Sequence, residues 1–192
     1  MNHFLRITTA EDYPLKFAAN NPEVDNDIDL GKFVHAARLN GPLHYTDAEN
    51  IDIPVEVFAA FDAIESVSGG ILISRRLKEL IDLHFPQQVQ LFESDFVYKG
   101  QLITGFYAMN VYNKVECYDL ERSVFEVSTV DGSYDFEKIA LIDGPLQEFD
   151  VEYDIVRSLH DNKIVVSAAF KNLMETSDVK AFGFEDQFVI EF

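Results

Sequence analysis

Tryptophan is missing from this 192-residue chain, cysteine occurs once, and basic residues are scarce beside acidic ones. Each shortage removes a class of explanation. The one cysteine, Cys117, cannot close an internal disulfide, so the fold must stand on packing and hydrogen bonds, as in a reducing compartment. It sits in Val115-Glu116-Cys117-Tyr118 with no Cys–His signature around it, which reads as a buried structural thiol. Lysine and arginine total 15 against 34 aspartates and glutamates, a formal net charge of −19. Such a field repels nucleic-acid phosphates and anionic lipid headgroups and attracts basic protein surfaces. Acidity of this kind also serves solubility alone. No apolar run approaches the roughly 18 residues of a membrane helix. The opening Met1-Asn2-His3-Phe4-Leu5-Arg6 lacks the basic-then-apolar order of a secretory signal, so the expectation is a cytoplasmic protein.

Catalytic signatures are short as well. The histidines are His3, His35, His44, His84 and His160, and no two stand at metal-ligand spacing. Asp25-Asn26-Asp27-Ile28-Asp29-Leu30-Gly31 has the look of a calcium loop, but its glycine comes one position late and the twelfth position is Ala36, where a bidentate glutamate is required. Ser68-Gly69-Gly70 and Gly144-Pro145 are turns, not phosphate-binding loops, and no Gly-x-Ser-x-Gly elbow occurs. No catalytic residue, metal ligand or cofactor is assigned. An enzyme or small-ligand domain stays the alternative reading, which a deep pocket gathering carboxylates would favour. A structural or assembly module would show a large apolar patch or an obligate oligomer.

What is present is a core. Apolar residues make up 47% of the chain, with 17 phenylalanines and 8 tyrosines, enough for one folded domain over residues 1–192. Residues 1–65 read as an irregular N-terminal part of short strands and long connections, punctuated by Asn20-Asn21-Pro22 and Asn40-Gly41-Pro42, with Ile51-Asp52-Ile53-Pro54-Val55 extended before its proline. Residues 66–192 read as the core. Ile71-Leu72-Ile73 is β-prone, Ser74 is an N-cap, and Leu77, Leu80, Ile81 and Phe85 recur at helical spacing until Pro86. His84 falls near that apolar face. Val89 to Glu93 and Leu102 to Tyr112 read as two strands of a hairpin turning at Tyr98-Lys99-Gly100-Gln101.

Ile164-Val165-Val166-Ser167 and the residues to Met174 match Ile71 to Ile81 in their order of apolar run, serine cap and amphipathic helix; Val179-Lys180-Ala181-Phe182 stands where Val89 to Glu93 stood. Two similar strand–helix–strand units are expected, with true duplication left open. The predicted class is α+β, an antiparallel or mixed sheet with at least two short amphipathic helices.

In Leu146-Gln147-Glu148-Phe149-Asp150-Val151-Glu152-Tyr153-Asp154-Ile155, four apolar residues alternate with Glu148, Asp150, Glu152 and Asp154. As one strand this segment would set all four carboxylates on a single face. That face is either a solvated sheet surface or a place where a basic partner relieves mutual repulsion.

Three blocks together resemble a known family. They are Gly70 to Ile81 followed by Val89-Gln90-Leu91-Phe92; Gly105 to Ser123, with Tyr107-Ala108-Met109-Asn110-Val111 and Tyr118-Asp119-Leu120-Glu121-Arg122-Ser123; and Ile164 to Ser167 with its helix, ending at Phe184. This order is similar to an immunity-protein family of bacterial polymorphic toxin systems, long filed as a domain of unknown function. The likeness spans about residues 45 to 192 and departs where Thr176-Ser177-Asp178 stands in place of a small glycine turn. It implies a protein that binds and neutralises a cognate toxin domain, and it brings no catalytic residues with it. Asn110, Asp119, Glu121 and Ser123 match the family's polar positions, as turn and cap residues or as toxin contacts. With the acidic run, they make Glu148, Asp150, Glu152, Asp154, Asp119 and Glu121 the candidate partner-binding residues.

Overall fold

The computed structural model describes residues 1–8, 16–47, 53–67 and 70–190. Ile51 and Asp52 of the expected extended segment, and Ser68 and Gly69 of the expected turn, lie outside the described residues. The elements run β1 (His3–Ile7), β2 (Lys16–Ala19), α1 (Pro22–Asp29), a 3-10 turn at Ala36–Arg38, β3 (Leu43–Asp47), α2 (Val55–Phe58), β4 (Ala63–Ser66), β5 (Ile71–Ser74), α3 (Arg75–His84), β6 (Gln90–Tyr98), β7 (Gln101–Asn110), β8 (Lys114–Val115), β9 (Val124–Val127), β10 (Tyr134–Ala140), β11 (Leu146–Glu148), β12 (Val151–Tyr153), β13 (Ile155–Ser158), β14 (Ile164–Val166), α4 (Ala168–Thr176), β15 (Phe182–Glu185) and β16 (Gln187–Val189). Mixed sheets and short helices make this an α+β protein.

Six strands close a barrel in the order β2-β3-β6-β7-β5-β4, with β2–β4 and β3–β6 parallel and the other pairs antiparallel. Alternation along β5 sorts the two sides of its wall. Leu72 points into the barrel core with Tyr45, Ile64, Phe96 and Tyr98, while Ile71 and Ile73 point outward. Helix α1 begins as its sequence dictates: Asn21 accepts from the Val24 N–H (3.2 Å) and Pro22 fills the first turn. It buries Val24 and Ile28 in the barrel core. The aspartates of the rejected calcium loop are thus helical. Asp25 is buried and accepts from the Tyr45 hydroxyl (2.9 Å), and Asp27 pairs with Lys32 and Arg38.

The second sheet has the order β15-β1-β14-β13-β8. Strand β1, from the stretch whose sequence pattern is weakest, lies inside it, next to the β15 edge, held antiparallel between β14 and β15. Helices α3 and α4 join the barrel's outer wall to this sheet. Leu77, Ile81 and Phe85 meet Phe170 and Met174, with Ile71, Ile73 and Met109 from one side and Ile155 and Val166 from the other. Each such side chain, fully buried, contributes on the order of 1.5–3 kcal/mol. His84 departs from its expected place and is exposed at the end of α3. A third cluster lies between the other face of this sheet and the three strands β16-β10-β9, and it contains the fully buried Cys117, whose thiol burial pushes up to about 12.

Arg157 ties these layers together. It is 5% exposed and donates to the carbonyls of Val111 (2.8 Å), Asn162 (3.0 Å) and Ile28 (3.1 Å), the last at the end of α1. Burial pulls its guanidinium down to about 10, with Asp29 opposing. Gly31, at φ +62, must be glycine twice over: a Cβ there would stand 2.4 Å from Arg157 Cδ.

Candidate partner-binding surface

The acidic run 146–155 is not one strand. Leu146–Glu148 and Val151–Tyr153 form an antiparallel hairpin, register Glu148↔Val151, that turns on Phe149 (φ 49) and Asp150 (φ 62). Two successive positive φ values across a two-residue loop are the geometry of the turn whose twist suits paired strands. Parity explains the reversal. On one continuous strand Leu146 would share the face of the four carboxylates. Reversing the chain sets Leu146 opposite Tyr153, so that Leu146 is buried and Tyr153 packs on the same cluster. That parity conflict was readable in the sequence, and it is the signal that the alternation hides.

The four carboxylates therefore part company. Asp150 occupies the exposed turn, Glu152 is exposed opposite Gln147, and Glu148 is half-buried opposite Val151. Among the described residues none of these three forms an ion pair. Asp154 belongs to the frame. It accepts from Ser167 Oγ (2.6 Å) and from Gln88 Nε2 (3.3 Å), while its own N–H donates to Gln88 Oε1 (2.6 Å).

Asp119 also does structural work. Its Oδ1 accepts from the N–H groups of Glu121 and Arg122 (both 3.1 Å), and its Oδ2 takes Arg122 Nε (2.6 Å). The Arg122 guanidinium beside it holds its carboxyl below the usual range. Ser123 Oγ donates to the Asp119 carbonyl (2.7 Å) and accepts from the Ala140 N–H (3.0 Å), and Asn110 is fully buried, donating to Gln90 and to the Lys32 carbonyl. This is turn and tie chemistry at the positions the resemblance singles out. Glu121 is exposed on the turn. Arg122 further reaches Asp143 (3.1 Å), three residues before the hairpin, so the Asp119 turn braces the chain that leads into it.

Two groupings escaped the sequence. His160 packs against Tyr118, Tyr134 and Phe136, with Nε2 2.9 Å from Glu116. A cavity of about 1040 Å³ lies between β1, β5 and β16, lined by Arg6, Glu65, Lys163, Glu185 and Phe188 among others; Glu185 is already paired with Arg6. Neither has a local signal, because its parts come from distant stretches of chain. Among the described residues no three His, Cys, Asp or Glu side chains are placed to hold a metal, and no helix is long and apolar enough to cross a membrane.

The hairpin tip is thus exposed and acidic, and the chain on either side of it is tied to the frame. The family model described as "Immunity protein family (Imm11)" matches residues 40–189, most of the chain, and the chain belongs to that family. No curated protein matches it.

Proposed function

We propose that this chain is a cytoplasmic immunity protein that binds one cognate toxin domain of a polymorphic toxin system and covers its active site, without chemistry of its own. The match to an immunity family over residues 40–189 carries this reading. The net charge of −19 supports a basic toxin surface as the partner, since opposite fields steer encounter and raise the association rate by about 10- to 1000-fold. The chain acts in this reading as one domain. Glu148, Asp150, Glu152 and Glu121 are the acidic residues proposed to face the toxin. Asp154 and Asp119 act through the frame that positions them.

Co-expression is the test. Where the gene beside this one encodes a toxin domain, cells producing that domain should survive when this chain is also made, and die when it is not. With both proteins purified, the association rate should fall at least about tenfold between low salt and ~0.5 M salt. Failure of rescue refutes immunity. Rescue with a salt-insensitive association rate refutes the electrostatic part alone.

A further inference from the structure

We infer that Phe149, at the tip of the β11–β12 hairpin, is the anchor that this protein inserts into an apolar pocket rimmed by basic side chains on its toxin. The inference rests on the immunity reading and names the contact within it. Phe149 is 91% exposed. By contrast Phe33, the other largely exposed phenylalanine among the described residues, keeps about half its surface covered (53% exposed), with its ring 5.3 Å from that of Tyr112. Among the described residues the Phe149 ring meets no other ring.

Local stability does not account for a phenylalanine there. Positive φ is unfavourable for a bulky side chain, and two-residue turns of this kind are best made by Asn-Gly or Asp-Gly. The position therefore carries strain at φ 49 and leaves a large apolar ring in water. Among the described residues no ring contact offsets either cost. Both would be offset by a pocket on another molecule.

The hairpin is also built to present the ring. Two residues make its loop, Leu146 is 1% exposed at its root, and the chain leaving it is fixed by the Asp154 N–H on Gln88 Oε1 (2.6 Å). A short, rooted finger loses little freedom on binding, which is what an aromatic hot spot requires. Charge names the pocket's rim. Asp150 is Phe149's neighbour in the turn, Glu148 precedes it and Glu152 follows, and none of them forms an ion pair among the described residues. Lysine or arginine around an apolar cavity satisfies both the ring and the carboxylates.

The experiment compares wild type, Phe149→Asn and Glu148→Gln/Asp150→Asn/Glu152→Gln against the toxin domain encoded beside this gene, by surface plasmon resonance and by rescue. Asparagine tolerates positive φ, so F149N should melt at or above the wild-type temperature, which guards against a folding artefact. The expected result is dissociation about 30-fold or more faster for F149N with the association rate nearly unchanged, and slower association for the triple variant. F149N that dissociates within twofold of wild type overturns the inference while leaving immunity standing. Wild-type chain that neither binds nor rescues overturns the immunity reading and this inference with it.

Discussion

Two hairpin–helix units, β4-β5-α3 and β13-β14-α4, hold themselves shut in the same way and differ in one partner. In the first, Ser74 caps α3 through the Leu77 N–H (3.2 Å), gives its hydroxyl proton to Asp62 Oδ1 (2.8 Å), and bonds its N–H to the Asp62 carbonyl (2.8 Å). In the second, Ser167 caps α4 through the Phe170 N–H (3.2 Å), gives its hydroxyl proton to Asp154 Oδ1 (2.6 Å), and bonds its N–H to the Asp154 carbonyl (2.9 Å). Each aspartate is then met by a residue that follows the other unit's helix. Lys180 N–H donates to Asp62 Oδ2 (2.7 Å), and Gln88 Nε2 donates to Asp154 Oδ2 (3.3 Å). The difference is Arg76, two residues after Ser74, where the second unit has Ala169. Arg76 binds Asp62 and also the carbonyls of Ser177 (2.8 Å) and Asp178 (3.0 Å) at the end of α4. One latch includes a cation and the other, among the described residues, does not, and that cation also binds the end of the other unit's helix.

The largest effect should follow from breaking the latch with the cation. Asp62 is 4% exposed. Burial pushes its carboxyl upward, but the bonds from Arg76, the Lys180 N–H and Ser74 outweigh it and hold the carboxyl below its ordinary value. Asp62→Ala leaves the Lys180 N–H without its acceptor and takes from Arg76 its carboxylate, leaving it the carbonyls of Ser177 and Asp178. Arg76 is half exposed, and water screens part of the loss. A cost of about 2–3 kcal/mol is expected in urea denaturation at neutral pH. The depressed value also sets a pH dependence. The Asp62 contribution is complete above the unfolded carboxyl value of about 3.9 and disappears as pH falls through the lower, folded one. Asp62→Asn should therefore lose less stability than wild type on going from neutral pH into that acid range. An equal loss in both proteins would show that Asp62 is not the linked group.

The latch without a cation should yield less. Asp154→Ala removes two acceptor contacts but keeps the Asp154 N–H on Gln88 and leaves no cation behind. About 1–2 kcal/mol is expected, measured in the same way. If it matched Asp62→Ala, Arg76 would be adding nothing and the contrast between the units would collapse.

What was legible in the sequence follows the range of each interaction. Ser74, Ser167 and Pro86 act within one turn of chain, so α3 and α4 could be read with their caps, and Lys99-Gly100 marked the β6–β7 turn, where both residues have positive φ. Asp62, Arg76 and Gln88 could not be read as latch parts, because their partners lie from 12 to 118 residues away. The same holds for β1, whose neighbours β14 and β15 come from the far end of the chain. Asp178 stands in Thr176-Ser177-Asp178, where the resemblance implies a glycine turn. It takes φ 51 after α4, a conformation that aspartate tolerates better than most residues. The acidic run misled for a different reason. Perfect alternation is what a strand shows, and a hairpin whose two arms keep that alternation is told apart only by the parity of Leu146 against Tyr153.

The smallest effect sharpens the comparison most. Ser74→Ala and Ser167→Ala each remove an N-cap whose geometry is the same in both helices, 3.2 Å to the third residue on, and each should cost about 1 kcal/mol. Their couplings to the aspartates should differ. Among the described residues Ser167 is the only hydroxyl donor on Asp154 Oδ1, at 2.6 Å, whereas Asp62 Oδ1 is shared between Ser74 and Arg76 Nε (3.1 Å). Removing Ser74 leaves Asp62 with a cation and the Lys180 N–H still in place. Removing Ser167 leaves the Asp154 carboxylate, among the described residues, with the long bond from Gln88. Double-mutant cycles should thus give a larger coupling for Ser167–Asp154 than for Ser74–Asp62, by about 0.5 kcal/mol. The reverse order would mean that the guanidinium strengthens the serine bond it shares instead of substituting for it.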